Sequence, residues 1–428
     1  MTDHLSESVK AAPATGRARE DLGAFAYGPG TADWEARVEP AQLRAARVDR
    51  VRTVLEASRA DALLVWKDEN VRYLTGLRAQ ILNGKSSVLN GCLLLPGREP
   101  VLLCSGGDLA RARVGMPWIE EFHAIPIQEA TALIGGTVDR TIRPLLAEAG
   151  IADGCLAIDQ APMSMITHLA RALPDLELED GDAIMLEARR VKFREEIALM
   201  EEASAIAEAV TQAALDAVRV GRRECEVAAE AMHTLYRLGG EMAHVATPFV
   251  ASGEHMSPPT RLATDKVIRE GDIVFIDIGA MWNGYYSDVA RTTVCGRPSR
   301  RQQEVFTAVH ASLLAGTAAM KAGNTNDDVA AAVREAADSH GLGDSFISLF
   351  IGHGVGIGTN EPPYIGESLD GAETVVLEAG MTFALEPLIW VPGVRGGGGV
   401  RLEDTIMVDV DGGRPLSRIA FDERLLLS

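Results

Sequence analysis

The sequence predicts an α/β domain over residues 39–187 followed by an α+β domain over 188–428, and three observations carry that reading. The chain is 428 residues long, which at roughly 100–200 residues per domain gives two or three domains. Short apolar runs alternate with helical patterns through the first half, as in an α/β arrangement. In the second half the strand patterns are grouped, with helices between the groups, which reads as mixed strands around one site with helices packed outside.

Residues 1–38 are polar and rich in Gly, Ala and Pro, and read as a loosely held arm. The run from Gln42 to Ser58 reads as a helix, and Asp61 to Trp66 as a short buried strand. Cys92 to Leu95 and Val101 to Cys104 flank a Pro/Gly turn and read as a hairpin. Strands and helices then alternate through Ala157 to Asp159 and Met165 to Leu173. Arg189 to Arg194 opens a helical pattern through Ile197, Met200, Ala203, Ile206 and Val210, which places the domain boundary there. A second helix covers residues 224–238, strands dominate from Thr247 to Val294, and helices return at 302–321 and 325–340. Strand patterns from Met381 to Trp390 and from Val400 to Val408 close the chain, with the four glycines 396–399 as a mobile turn between them.

Hydrophobic content of 47% and charged content of 24% are those of an ordinary soluble globular protein. A net charge of −20 argues against nucleic acid and anionic membrane surfaces as partners, since both need a basic footprint. The five cysteines are scattered and form no C-x-x-C pair, so neither a disulfide framework nor a zinc ribbon is expected. The first residues lack the apolar core of a secretory signal. No apolar run approaches the ~18 residues that span a bilayer, so a cytoplasmic protein is expected.

Five residues in the second half have the types and order needed to hold two divalent cations: Asp277, Asp288, His353, Glu386 and Glu403. Asn283-Gly284 is a strong hairpin-turn signal. With those two as the turn, Trp282 faces Tyr285 and Gly279 faces Asp288, so Asp277 and Asp288 become diagonal neighbours on one face. A structural pair of aspartates at a sheet surface is the plainer alternative. Asp277 interrupts an apolar strand, where a bare carboxylate is costly without a partner. His353 lies among Gly352, Gly354, Gly356 and Gly358, which let the backbone approach a ligand closely. A dinucleotide loop is disfavoured, because no helix carrying an acidic residue about 20 positions on follows it. Glu386 and Glu403 are each a carboxylate inside an apolar strand, with Arg401 on the same strand face as Glu403. An exposed edge would account for one such glutamate more simply than for two. Four converging carboxylates without cations would protonate, whereas two divalent ions balance them. Oxygen donors with one imidazole suit manganese, with zinc, iron or cobalt as alternatives.

These motifs resemble the pita-bread metallohydrolase family of methionine aminopeptidase, aminopeptidase P, prolidase and creatinase. The matching pieces are D-I-G-A-x-x-N-G-Y-Y-S-D-x-A-R-T at 277–292, G-H-G-V-G at 352–356, L-E-P at 385–387 and R-L-E-D at 401–404. In the first half D-A-L-L-V and N-V-R-Y-L-T-G, within 61–76, resemble the creatinase and prolidase N-terminal domain. The resemblance implies a pita-bread catalytic domain behind an α/β creatinase-like domain, and a homodimer. It further implies that Asp277 chelates one metal and His353 the other, and that Asp288 and Glu403 bridge them. Glu386 would bind metal and shuttle a proton from a metal-bridging hydroxide that attacks an amide carbonyl, with Arg401 supporting the bridging carboxylate. Xaa-Pro dipeptidase or aminopeptidase activity on short peptides or small molecules is the implied function.

Two positions depart from the family's peptidases, which carry two further histidines that bind substrate and stabilise the tetrahedral intermediate. Those positions are Thr260 and Asn360 here, the latter followed by Glu361-Pro362-Pro363. Asn360 can donate a hydrogen bond but cannot transfer a proton at neutral pH. Thr260, Asn360 and Glu361 are therefore read as substrate-facing, Asn360 also as catalytic, with His255 either filling the gap from a nearby loop or standing as an exposed loop histidine. A non-peptide enzyme on the same scaffold is the alternative: a creatinase-like C–N hydrolase of a small zwitterion, or a metal-dependent lyase of the dimethylsulfoniopropionate type. A third reading, a catalytically silent binding protein, is opposed by the complete ligand set.

Overall fold

The computed structural model describes residues 38–79, 90–126, 131–245, 247–256, 262–347, 351–366 and 373–427. The polar arm, apart from Val38, and Thr260 lie outside them. The chain divides into two compact units, residues 1–189 and 190–428.

The first unit is a six-stranded sheet with helices between its strands. A helix at Pro40–Ala57 leads into β1 (Ala62–Val65), followed by β2 (Asn90–Leu94), β3 (Val101–Ser105), β4 (Phe122–Ile125), β5 (Cys155–Ile158) and β6 (Glu177–Asp180), in the order β4-β3-β2-β1-β5-β6. The β2–β3 hairpin pairs Cys92 with Leu102 around the expected turn. The outer pairs β3–β4 and β5–β6 and the central pair β1–β5 are parallel. Strands buried on both faces read as continuous apolar runs, which is why Ala62–Val65 was legible as a strand. A helix at Gly181–Arg190, unread in the sequence, closes this unit.

The second unit is α+β. Its first helix begins at Arg194 rather than at Arg189, because the Glu196 carboxylate accepts the Phe193 N–H at 2.7 Å and sets the start. Helices at Arg194–Ala217 and Glu224–Arg237 pack on one side of a three-stranded sheet, β7 (Phe249–Ser252), β8 (Ile273–Asp277) and β11 (Ala290–Val294), ordered β11-β8-β7. Between β8 and β11 lies a separate hairpin of β9 (Ala280–Trp282) and β10 (Tyr285–Ser287). Helices at Arg300–Ala319 and Asn326–Ser339 lie against a five-stranded sheet of β12 (Gly352–Gly354), β13 (Glu361–Ile365), β14 (Thr382–Leu385), β17 (Asp404–Val408) and β18 (Gly413–Pro415). A second hairpin joins β15 (Leu388–Trp390) to β16 (Gly399–Arg401). Along β8 the side chains alternate. Val274 and Ile276 pack with the helices Arg194–Ala217 and Glu224–Arg237, while Ile273 and Phe275 pack with Val305, Phe306 and the five-stranded sheet. Among the described residues no helix is long and apolar enough to cross a membrane.

The four glycines 396–399 are not a mobile turn. A Cβ on Gly396 would lie 2.1 Å from the Gly271 carbonyl oxygen, and one on Gly399 would lie 2.4 Å from that of Met256. The Gln302 side-chain amide donates to the carbonyls of Gly271 and Gly397 at 3.0 and 3.2 Å. Backbone crosses backbone here, and only glycine leaves room for it.

Arg291 on β11, 2% exposed, joins three distant pieces of the unit. Its guanidinium donates to the Glu403 carbonyl at 2.6 Å, to Asp404 Oδ1 at 2.7 Å and to the Ile419 carbonyl at 2.7 Å. Breaking one side of a buried pair leaves the other charge stranded. Arg291→Met is therefore expected to lower unfolding stability by about 3–5 kcal/mol, read from denaturant midpoints at unchanged slope.

Candidate metal centre

Each carboxylate of the predicted set sits where the chain leaves one sheet for the next. Asp277 is the last residue of β8, and Asp288 falls between β10 and β11. Glu386 and Glu403 were expected inside strands, but they stand at breaks: between β14 and β15, and between β16 and β17. Pro387 offers no N–H to continue the ladder, and the Glu386 N–H donates instead to the Ile351 carbonyl at 2.9 Å. His353 is central in β12, opposite Ala384.

The hairpin places the two aspartates as counted. Asn283 and Gly284 take the left-handed conformation, φ 45° and 85°, and Tyr285 pairs with Trp282. The same register continues past the gap in the ladder: the Ile278 N–H donates to the Val289 carbonyl at 3.2 Å, and Ala290 pairs with Asp277. Thr405 grips Asp288, accepting its N–H at 2.9 Å and donating to its carbonyl at 2.8 Å. The Glu403 N–H donates to the Ala290 carbonyl at 3.0 Å, so the two bridge candidates are fixed against each other through main chain.

The five side chains and Arg401 are all buried, at 1–5% exposure. Arg401 Nη1 lies 2.8 Å from Glu386 Oε2 and 3.6 Å from Asp277 Oδ2. His353 Nε2 lies 3.5 Å from Glu386 Oε1 and 3.9 Å from Asp288 Oδ2. Among the described residues two groups have donor atoms close enough to surround a cation: Asp288 with His353 and Glu403, and Asp277 and Asp288 with His244. Asp288 belongs to both. Asp277 Oδ1, Asp288 Oδ1 and Glu403 Oε2 are buried with no hydrogen-bond donor on them among the described residues. Buried oxygens left in that state are costly, and hard divalent cations satisfy them, so the residues fit a metal centre.

Burial, and then the Asp277 carboxylate, pushes Asp288 well above the ordinary carboxylate range. Glu403 rises for the same reasons: burial first, then Asp288, Asp277 and Glu386. Burial works against the Arg401 charge, but Glu386 and Asp277 outweigh it and raise its pKa.

The other expected site residues fall differently. The His255 ring lies against Glu224, 3.1 Å from its Oε1, in a cluster with Ser252 and Thr264. Asn360 is exposed. Glu361 is turned inward: its Oε1 accepts the Gly358 N–H at 2.9 Å and its Oε2 lies 3.5 Å from Lys192 Nζ. His244 was passed over in the sequence. Its Nε2 lies 3.3 Å from Asp277 Oδ1 and 3.5 Å from Asp288 Oδ1, and burial pushes its pKa down. No local motif marks it; it arrives because Glu241 and Met242 exchange main-chain hydrogen bonds with Met281, laying residues 241–244 beside β9.

Residues 198–409 match metallopeptidase family M24, and residues 47–191 match the creatinase/prolidase N-terminal domain. A Xaa-Pro dipeptidase of Pyrococcus furiosus is 34% identical over 255 residues, 60% of this chain and 71% of that one. A Xaa-Pro dipeptidase of Pyrococcus horikoshii is 28% identical over 374 residues, 87% and 97% of the two chains. The crystal structure of a dipeptidase from Pyrococcus horikoshii superposes with a TM-score of 0.74 at 29% identity, covering 88% of this chain and 98% of that one.

A carboxyl group whose pKa rises on folding stabilises the fold while protonated and loses that contribution as pH rises through the folded value. The metal-free protein should therefore lose stability relative to Asp288→Asn as pH climbs from about 4 to neutral. Divalent cation should reverse the loss by binding the folded state. Denaturant unfolding in chelator across that range checks this; parallel curves for the two proteins would contradict it.

Proposed function

This chain belongs to metallopeptidase family M24 and is a metallohydrolase, and on that premise we propose that it is a dinuclear Xaa-Pro dipeptidase acting on short peptides. The observation that carries the reading is the set of buried carboxylate oxygens with no donor on them among the described residues, Asp277 Oδ1, Asp288 Oδ1 and Glu403 Oε2, beside the Asp288, His353 and Glu403 ligand group. The Xaa-Pro dipeptidases similar over most of the chain support the substrate class.

In this reading Asp277 and His353, with Asp288 and Glu403 shared between the two positions, would hold two divalent cations. Two divalent cations there supply Lewis acidity, lowering the pKa of a water and polarising an amide carbonyl. The oxygen-rich donor set favours manganese. Arg401 holds Glu386 Oε2, which leaves Oε1 to take the proton of the attacking water and pass it to the leaving nitrogen. Burial of the whole set keeps bulk water from competing for these contacts. A second reading, a non-peptide enzyme on the same scaffold, is favoured by Thr260 and Asn360, which stand where the family's peptidases carry imidazoles.

Manganese-loaded protein should hydrolyse a panel of Xaa-Pro dipeptides. Turnover of a small zwitterion with none of the peptides would favour the second reading instead. Glu386→Gln is expected to lower kcat by roughly 10²–10⁴-fold, the usual worth of a positioned proton carrier. Asp288→Ala should lose bound metal and activity together while circular dichroism stays that of the parent; two metals retained in that variant would remove Asp288 from its shared position.

A further inference from the structure

His244 has the setting of a fixed donor. The Gly279 N–H points at its Nδ1 at 2.6 Å. A backbone N–H can only donate, so Nδ1 accepts; the ring is then neutral and carries its proton on Nε2. A nitrogen that carries a proton has no lone pair for a cation. Nε2 faces Asp277 Oδ1 at 3.3 Å and Asp288 Oδ1 at 3.5 Å. Both distances are long for N–H···O, and among the described residues neither oxygen receives an aligned hydrogen bond. The Nε2 proton is thus lodged beside the reacting centre without being committed to either aspartate.

The surroundings hold the ring there. Phe249 meets it edge to face, with ring centroids 6.0 Å apart. A Cβ on Gly279 would lie 3.0 Å from His244 Nδ1 and 2.2 Å from the Ser287 carbonyl oxygen. Glycine at 279 is what lets the main chain close onto the imidazole. The His244 side chain is 7% exposed, so an acceptor that reaches Nε2 does so away from bulk water.

We propose that His244 is a catalytic hydrogen-bond donor of this site and not a metal ligand, its Nε2–H serving the carbonyl oxygen of the scissile amide. The inference rests on the peptidase reading above. It accounts for an imidazole in the site although positions 260 and 360 hold threonine and asparagine. The donor reaches the centre from the segment before β7 instead.

The test compares His244→Ala and His244→Gln with the parent as full-length, metal-loaded protein. Removing a donor of this kind costs roughly 10²–10³-fold in kcat, and His244→Ala should fall in that range. The glutamine amide can offer an N–H from a similar reach, so His244→Gln should recover much of the loss. Both variants should bind as much cobalt as the parent, with unchanged cobalt absorption bands. Nitrogen NMR of the loaded parent should show a protonated Nε2 and a bare Nδ1. Loss of cobalt, shifted bands, or parental kcat in His244→Ala would each overturn the proposal. If the parent itself cleaves no Xaa-Pro peptide, the functional reading fails separately. The cobalt and nitrogen spectra then still decide whether the ring is donor or ligand.

Discussion

Four buried carboxylates converge on one guanidinium, and the rest of the second unit is arranged around that imbalance. Asp288 and Glu403 lie buried against Asp277, Glu386 and Arg401. Burial and mutual repulsion drive Asp288 and Glu403 towards protonation when no cation is present. A fold that carries such a cluster must hold it by means other than the cluster itself. Main chain does so here. Thr405 clamps both backbone groups of Asp288, and the Glu403 N–H is tied to Ala290. Arg291 takes the carbonyl of Glu403 and the side chain of Asp404.

The positions of the carboxylates follow from sheet geometry. A residue in mid-strand shares its surroundings with ladder neighbours on both sides, whereas a residue at the junction of two sheets can turn into the space between them. All four carboxylates occupy such junctions, and the imidazole comes from mid-strand in β12. The alternation along β8 sets the direction, since Asp277 shares parity with Phe275 and Ile273, which face the five-stranded sheet.

Much of this was legible in the sequence, for identifiable reasons. Asn283-Gly284 fixes a two-residue turn, so the register from Trp282–Tyr285 out to Asp277–Ala290 follows by counting. The apolar runs of the first unit read as strands because they are buried on both faces. The strand interruptions at Glu386 and Glu403 were hidden, because the apolar pattern runs on across the sheet change. The glycines 396–399 were read by composition, which does not distinguish a free turn from a crowded crossing. His244 was out of reach for a different reason: pairing across β9, not any neighbour in sequence, brings it to Asp277.

The Arg291 contact with the Ile419 carbonyl bears on the order of events at the ribosome. Synthesis proceeds from the N-terminus, and units tend to fold as they emerge. The first unit and the Asp277–Asp288 hairpin are made long before Glu386 and Glu403, and the Ile419 tie follows later still. A growing chain therefore carries the two aspartates without either glutamate from residue 288 until residue 386 is made, and without Glu403 until residue 403. On the proposed reading, hydrolytic competence would arrive only when residues 386–419 have been made and drawn back onto β11, which would keep an unfinished chain chemically silent.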